Sequence, residues 1–293
     1  MVSRQFLNNN KQSGERNMIG ITSVNGLHLP IEERFSCIKA AGFDSILLWW
    51  GKNGDSSRPQ RVLLAENYGL QIENVHASSD HLNRIWTDGS EGDAVISELS
   101  REIEDCSAFG IKTIILHLTN GDIPPPITEI GRKRIEKMIG LAERRKVQIA
   151  FENVRSAMPI RYILDTYTTP CVGLCYDIGH EHKWTPGIDW LDLYSDRIFA
   201  VHLHDNNGDT DSHLVPFDGN INWNEKIKAL AVSSYQGAVA IESEYHASSL
   251  YETDGFEVFL KKAYEQGVVI ENIISQYKKQ ESSANAKRSD TMI

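Results

Sequence analysis

Four short segments carry side chains able to hold a divalent cation: Phe151-Glu152-Asn153, Asp177-Ile178-Gly179-His180, His202-Leu203-His204-Asp205 and Glu242-Ser243-Glu244. Each ends a run of apolar residues. One such residue has an ordinary reading; Asp177, just ahead of Ile178-Gly179, fits a turn in which it bonds its own backbone. Glu, Asp, His and Glu at four successive run ends do not fit that reading together, because burying several carboxylates around one axis is costly without a cation. The mixture of imidazole nitrogen and carboxylate oxygen suits Mn²⁺, Zn²⁺, Co²⁺ or Fe²⁺ better than an all-oxygen Ca²⁺ site. His76 and His117 end two earlier apolar runs in the same way, and Asp211 and His213 lie in the polar stretch beyond Asp205. Taken singly, these four read as surface or capping residues. Glu242 is preferred to Glu244, which has the alternative of facing solvent.

The elements that must position these groups alternate along the chain. The spacing predicts strands at Met18–Ser23, Ser45–Trp49, Leu70–His76, Thr113–Leu118, Val147–Asn153, Val172–Asp177, Ile198–His204 and Ala238–Ser243. Helical spacing falls between several of them, at Glu32–Ala41, Arg58–Asn67, Ala94–Phe109, Thr128–Arg145 and Asn224–Ala231, with a last helix over Thr253–Gln266. Such alternation allows an open doubly wound sheet or an α/β (β/α)8 TIM barrel in a single domain. The first fold is disfavoured because Ser23-Val24-Asn25-Gly26-Leu27-His28, after the first strand, is no phosphate-binding loop. In the barrel, strand residues alternate between interior and helix layer, so Glu152 shares its face with Ala150 and Gln148, and Asp177 with Cys175 and Gly173. Each candidate ligand then stands above small neighbours on the rim where barrel enzymes build their sites.

Composition sets the remaining bounds. The 293 residues are 41% hydrophobic, enough for a large core, and the net charge is −10. Each end carries a net +2, which leaves the body near −14. An acidic body repels phosphate backbones and anionic membranes, which disfavours nucleic acid and membranes as partners. Residues 1–17 and 278–293 are polar and read as a disordered N-terminal extension and a disordered C-terminal tail around a metal-dependent catalytic barrel at 18–277. Cys37, Cys106, Cys171 and Cys175 form no Cys-x-x-Cys pair and read as reduced packing residues. The first residues lack the apolar stretch of a secretory signal, so the expected location is the cytoplasm. Homo-oligomers are common among soluble proteins, and the sequence leaves the number of subunits open.

In these residues the chain resembles the xylose isomerase-like barrel superfamily, which joins sugar and sugar-phosphate isomerases and epimerases with abasic-site nucleases of the endonuclease IV type. The likeness covers roughly residues 18–270, and its most specific parts are the segments around Glu152, Asp177, His202 and Asp211-Ser212-His213, followed by Pro216-Phe217-Asp218-Gly219-Asn220-Ile221-Asn222-Trp223. The resemblance implies a divalent metal held by Glu152, Asp177, His202 and Glu242. It also implies that Glu152 and Glu242 move a proton beside a carbonyl while the cation stabilises the enediolate. The expected partner is a small sugar or sugar phosphate, with His204, Trp49 and Arg155 contacting it; Lys52 and Arg58 are further rim cations that could receive a phosphate. The nuclease branch is the alternative, because His76, His117, His180, Asp211 and His213 correspond to the additional ligands of its three-metal phosphodiesterase centre. A barrel that binds a metabolite without catalysis is a third reading, and no ligand residue is visibly lost that would favour it.

Overall fold

The computed structural model describes residues 18–290 apart from 27, 52–55, 248–250 and 252, with side chains as far as 281. The N-terminal extension expected over residues 1–17 lies outside the described residues. Strands β1 (Ile19–Thr22), β2 (Ser45–Trp49), β3 (Gln71–His76), β4 (Thr113–Leu116), β5 (Gln148–Glu152), β6 (Val172–Asp177), β7 (Ile198–His202) and β8 (Val239–Ile241) form one parallel sheet, ordered β7-β6-β5-β4-β3-β2-β1-β8. The seam between β7 and β8 is held by a parallel bridge from Leu203 to Ile241, with Leu203 N–H donating to Ala240 O and Glu242 N–H to Leu203 O. The result is a nearly closed (β/α)8 barrel. Around it lie α1 (Ile31–Ala40), α2 (Arg58–Asn67), α3 (Ser90–Phe109), α4 (Glu129–Arg145), α5 (Ala157–Thr166), α6 (Ile178–Trp184), α7 (Trp190–Tyr194), α8 (Trp223–Val232) and α9 (Phe256–Asp290).

Local sequence explains several boundaries. Ser57 and Gln60 form a capping box ahead of α2, with Pro59 in its first turn. Thr128 accepts from Gly131 N–H at the start of α4. The large apolar core lies between strands and helices, whereas the barrel interior holds a small separate cluster of Ile115, Ala150, Cys175 and Ala200. Small side chains there leave room above for the polar residues at the strand ends. Between β6 and β7 the register shifts after Leu174, so that Cys175 pairs with Ala200 and Asp177 with His202. Without that bulge His202 would turn toward the helix layer.

The last helix runs from Phe256 to Asp290, longer than the roughly Thr253–Gln266 that the apolar spacing predicts and into the stretch from residue 278 read as a tail. Beyond Gly267 neither proline nor glycine interrupts the segment, so nothing in the sequence forces the helix to stop. Arg58 is not a rim cation open to phosphate. It opens α2 and binds Glu98 at 2.8 Å, Glu102 at 2.5 Å and Asp105 at 3.1 Å, all on α3. Glu102 is fully buried and also accepts from Ser78 N–H and Oγ–H. Removing one partner of a buried pair strands the other charge, so Arg58→Ala is expected to cost about 3–5 kcal/mol, read by urea denaturation. A loss no larger than that of an exposed ion pair, about 1 kcal/mol or less, would mean that Ser78 alone suffices for Glu102.

Candidate metal centre

The C-terminal strand ends bring nearly all the sequence-selected polar residues into one cluster. Ligand atoms of Glu152, Asp177, His202 and Glu242 all lie within 4.8 Å of one another. His202 Nδ1 is 3.1 Å from Glu242 Oε2, 3.3 Å from Glu152 Oε1 and 3.8 Å from Asp177 Oδ2. These contacts are close but none is aligned as a hydrogen bond: both ring nitrogens of His202 and Asp177 Oδ2 are buried without a hydrogen-bond partner. His202 Nδ1 facing the orphaned Asp177 Oδ2 and two further carboxylates is what a cation between them would satisfy, so the residues fit a divalent metal.

Two further groups flank this set. His76, His117 and Glu152 form one, with Glu152 Oε2 at 2.9 Å from His117 Nε2 and 3.3 Å from His76 Nε2. His180, His204, Asp211 and His213 form the other, with Asp211 Oδ2 at 3.4 Å from Nε2 of both His180 and His213. The backbone sets which imidazole nitrogen faces inward. His76 Nδ1–H donates to Ala77 O, His180 Nδ1–H to Asn153 O, and His213 Nδ1–H to Glu242 O. Each therefore turns Nε2 toward the cluster, the usual outer support of a ligand histidine.

The loops supply positions with no assigned role in the sequence reading. Asn153 clips β5 to β6, donating from Nδ2 to Asp177 O and accepting Asp177 N–H at 2.7 Å each. Asp205 accepts from the N–H groups of Asn206, Phe217 and Ile221 and from Trp223 Nε1–H, so it organises the loop between β7 and α8 and touches no ligand group. The Asp-to-Trp spacing was visible in sequence, but nothing in it revealed that the carboxylate faces its own loop. Gly179 leaves space for the His204 ring, which a Cβ there would strike. His204 in turn stacks on His213, with ring centroids 3.9 Å apart. His213 holds this position at φ 45°, in the left-handed region.

Of the substrate candidates, Trp49 is half-buried with its ring 4.9 Å from that of His76, whereas Trp50 is buried. Arg155 stands outside the cluster with its guanidinium 4.6 Å from the Trp184 ring centroid. Glu244 is exposed, and Lys52 lies outside the described residues.

Charge within the cluster is self-compensating. Burial acts to raise the Glu152 carboxyl, but His202, His117 and His180 outweigh it and hold it well below the usual carboxylate range. Burial likewise opposes ionisation of Glu242, yet His202 draws it down to about 2. Burial depresses His117. For His213 burial is overcome, chiefly by Asp211, and the imidazole rises to about 10. His180 and His202 are raised well above the usual histidine value despite burial, by Asp177 with Asp211 and by Cys175 with Glu242. Burial pushes the Cys175 thiol up to about 12, which makes it a neutral packing group in the floor of the centre.

The sequence model of the family described as "Xylose isomerase-like TIM barrel" matches residues 35–266. The chain belongs to that family. Protein y4fM of Sinorhizobium fredii is 26% identical, over 80% of this chain and 91% of its own length. Among solved structures, an L-ribulose 3-epimerase superposes with a TM-score of 0.70 at 17% identity, covering 92% of this chain and 98% of its own. The IOLI protein, solved with a zinc atom bound, gives 0.64 at 18% identity, over 89% and 99%. At these identities the structural likeness establishes the xylose isomerase-like fold, and the chemistry must be argued from the side chains. No helix among the described residues is long and apolar enough to cross a membrane.

Proposed function

We propose that this chain is a divalent-metal-dependent isomerase or epimerase of a small sugar or sugar phosphate. The observation that carries the reading is the set of buried Glu152, Asp177 and His202 with half-buried Glu242, in which His202 is left without a hydrogen bond at either nitrogen. These four residues would hold Mn²⁺, Zn²⁺, Co²⁺ or Fe²⁺, and the bound ion would supply positive charge to substrate oxygens as a proton leaves the adjacent carbon. Glu152 ends β5 and Glu242 follows β8, strands that lie on opposite sides of β7 in the barrel order, and both carboxylates face His202 Nδ1; in this reading one takes a proton and the other returns one to the opposite face of the substrate. Both carboxyls are held below the usual range, which favours the ionised form that a proton acceptor needs; the one that returns a proton must first take one up. His204, Trp49 and Arg155 are the proposed substrate contacts. The epimerase activity named for an L-ribulose 3-epimerase of this fold supports the reading.

A second reading has its own observation. The histidine groups around Glu152 and around Asp211 provide ligands for two more ions, the arrangement of a three-metal phosphodiesterase. The acidic body opposes a duplex substrate, because gripping one takes many phosphate contacts.

Metal analysis on protein purified without chelator, paired with incubation of ketoses and their phosphates in deuterated water, separates the readings. The isomerase predicts metal in the four-residue set and metal-dependent deuterium incorporation beside the carbonyl. Three ions per chain, no incorporation, and hydrolysis of a phosphodiester probe would transfer the assignment to the second reading.

A further inference from the structure

We infer that the mouth of the centre is built for a substrate carrying a terminal anion, a phosphate monoester or a carboxylate, received by Arg155 against the face of Trp184. The inference rests on the small-molecule reading above and narrows its substrate class. A cavity of about 110 Å³ opens at the centre, and its wall includes His117, His180 and Asp211 together with Asn120, Arg155 and Trp184. One wall of this cavity is thus formed by residues of the two flanking groups, and the other lies outside them. His180 and Trp184 rings are 4.8 Å apart, and Arg155 lies 4.6 Å from the same indole, so Arg155 stands one indole away from His180 of the flanking histidine group.

The cavity is small against the roughly 300–1,000 Å³ of sites for larger ligands, which suits a short-chain compound. Among the described residues that line it, Arg155 is the one lysine or arginine. Lys183, beside Trp184, is turned to the carbonyl oxygens of Gly208 and Asp209. Stacking on an aromatic face holds a guanidinium plane while leaving its N–H edge able to take an anion in two hydrogen bonds. Arg155 at present pairs with Asp122 through Nε at 3.3 Å, and the Asp122 side chain is 86% exposed. An ion pair of that exposure is weak, so an incoming anion displaces it at small cost. The reacting carbons of such a ligand would face the strand-end carboxylates while its anionic end lies over Trp184.

The test is calorimetric titration of the metal-loaded protein with glycerol, sn-glycerol 3-phosphate and D-glycerate. One or both anions should bind about tenfold or more tightly than glycerol, as expected for a charged hydrogen-bonded contact, and the comparison between them tells phosphate from carboxylate. Arg155→Gln should erase that preference with metal content unchanged; affinity that remains in the variant belongs to the metal. Asp122→Asn, which removes the competing carboxylate, should strengthen anion binding about two- to fivefold. Equal affinity for glycerol and both anions, no binding of any probe, or a preference that survives Arg155→Gln would overturn the inference. Binding is read without turnover, so an Arg155-dependent preference in a protein that exchanges no substrate hydrogen keeps the subsite and removes the isomerase reading.

Discussion

Replacing Glu152 with glutamine is expected to abolish turnover, with a loss of about 10³-fold or more, and to leave the barrel folded. General acid–base groups contribute about 10²–10⁴-fold, and Glu152 is also one of the four residues proposed to hold the metal. Its Oε1 faces His202 at 3.3 Å and His180 at 3.1 Å, and its Oε2 faces His117 at 2.9 Å, so one side chain serves all three ligand groups directly or through a neighbour. Glutamine keeps the shape and can still hydrogen-bond, but it offers a poorer metal ligand and no proton acceptor at neutral pH. Circular dichroism should therefore match the parent protein while metal content and exchange both fall. Full activity in Glu152→Gln would remove the carboxylate from the mechanism. Lost activity with full metal content would instead assign Glu152 to proton transfer alone.

The strands were legible because all but β2 are apolar runs ended by a polar residue, and that pattern survives in any parallel barrel whose interior and exterior are both covered. Their predicted ends run long at several places. Leu203 and Glu242 keep strand-like partners across the β7–β8 seam, but the pairing there is a single bridge, which periodicity does not resolve. Helices α5, α6 and α7 escaped the sequence reading. The last two are 7 and 5 residues long, too short to display a helical repeat. Asp177 caps α6 by accepting His180 N–H at 2.7 Å, so the turn reading and the ligand reading of that residue are both present, one on each carboxylate oxygen. Strand alternation puts Glu242 and Glu244 on one face with Ala240 and so does not separate them; β8 ends at Ile241, and Glu244, further past that end, is exposed. Which histidine nitrogen faces the cluster was not, because the fixing partners are backbone carbonyls of Ala77, Asn153 and Glu242. Arg58 misled for a related reason: a rim position in sequence says nothing about three carboxylates of α3 that reach it from 40 or more residues away.

Stripping the metal should destabilise the protein, and the gap between loaded and stripped forms should widen as pH rises. Without the ion, His213 titrates near 10 against an ordinary value of 6.5, so its contribution to folding is complete below about 6.5 and is lost as pH rises through about 10. Glu242, lowered from 4.5 to about 2, contributes above about 4.5 and loses its contribution as pH falls through about 2. The stripped protein is therefore best balanced between about pH 5 and 7 and weakens toward alkaline pH. The loaded protein follows the opposite slope, because a bound cation requires neutral imidazoles, and binding releases the protons that His202 and, if it ligates, His213 would otherwise hold. An ion present at about 1,000 times its dissociation constant stabilises the fold by about 4 kcal/mol, which raises Tm by several degrees or more. Scanning calorimetry with chelator and with excess Mn²⁺ or Zn²⁺, at about pH 6, 7.5 and 9, reads both effects at once. A gap that closes with rising pH would mean that protons and metal do not compete for these imidazoles, and the cluster would then be a self-neutralised network of carboxylates and histidines that needs no cation.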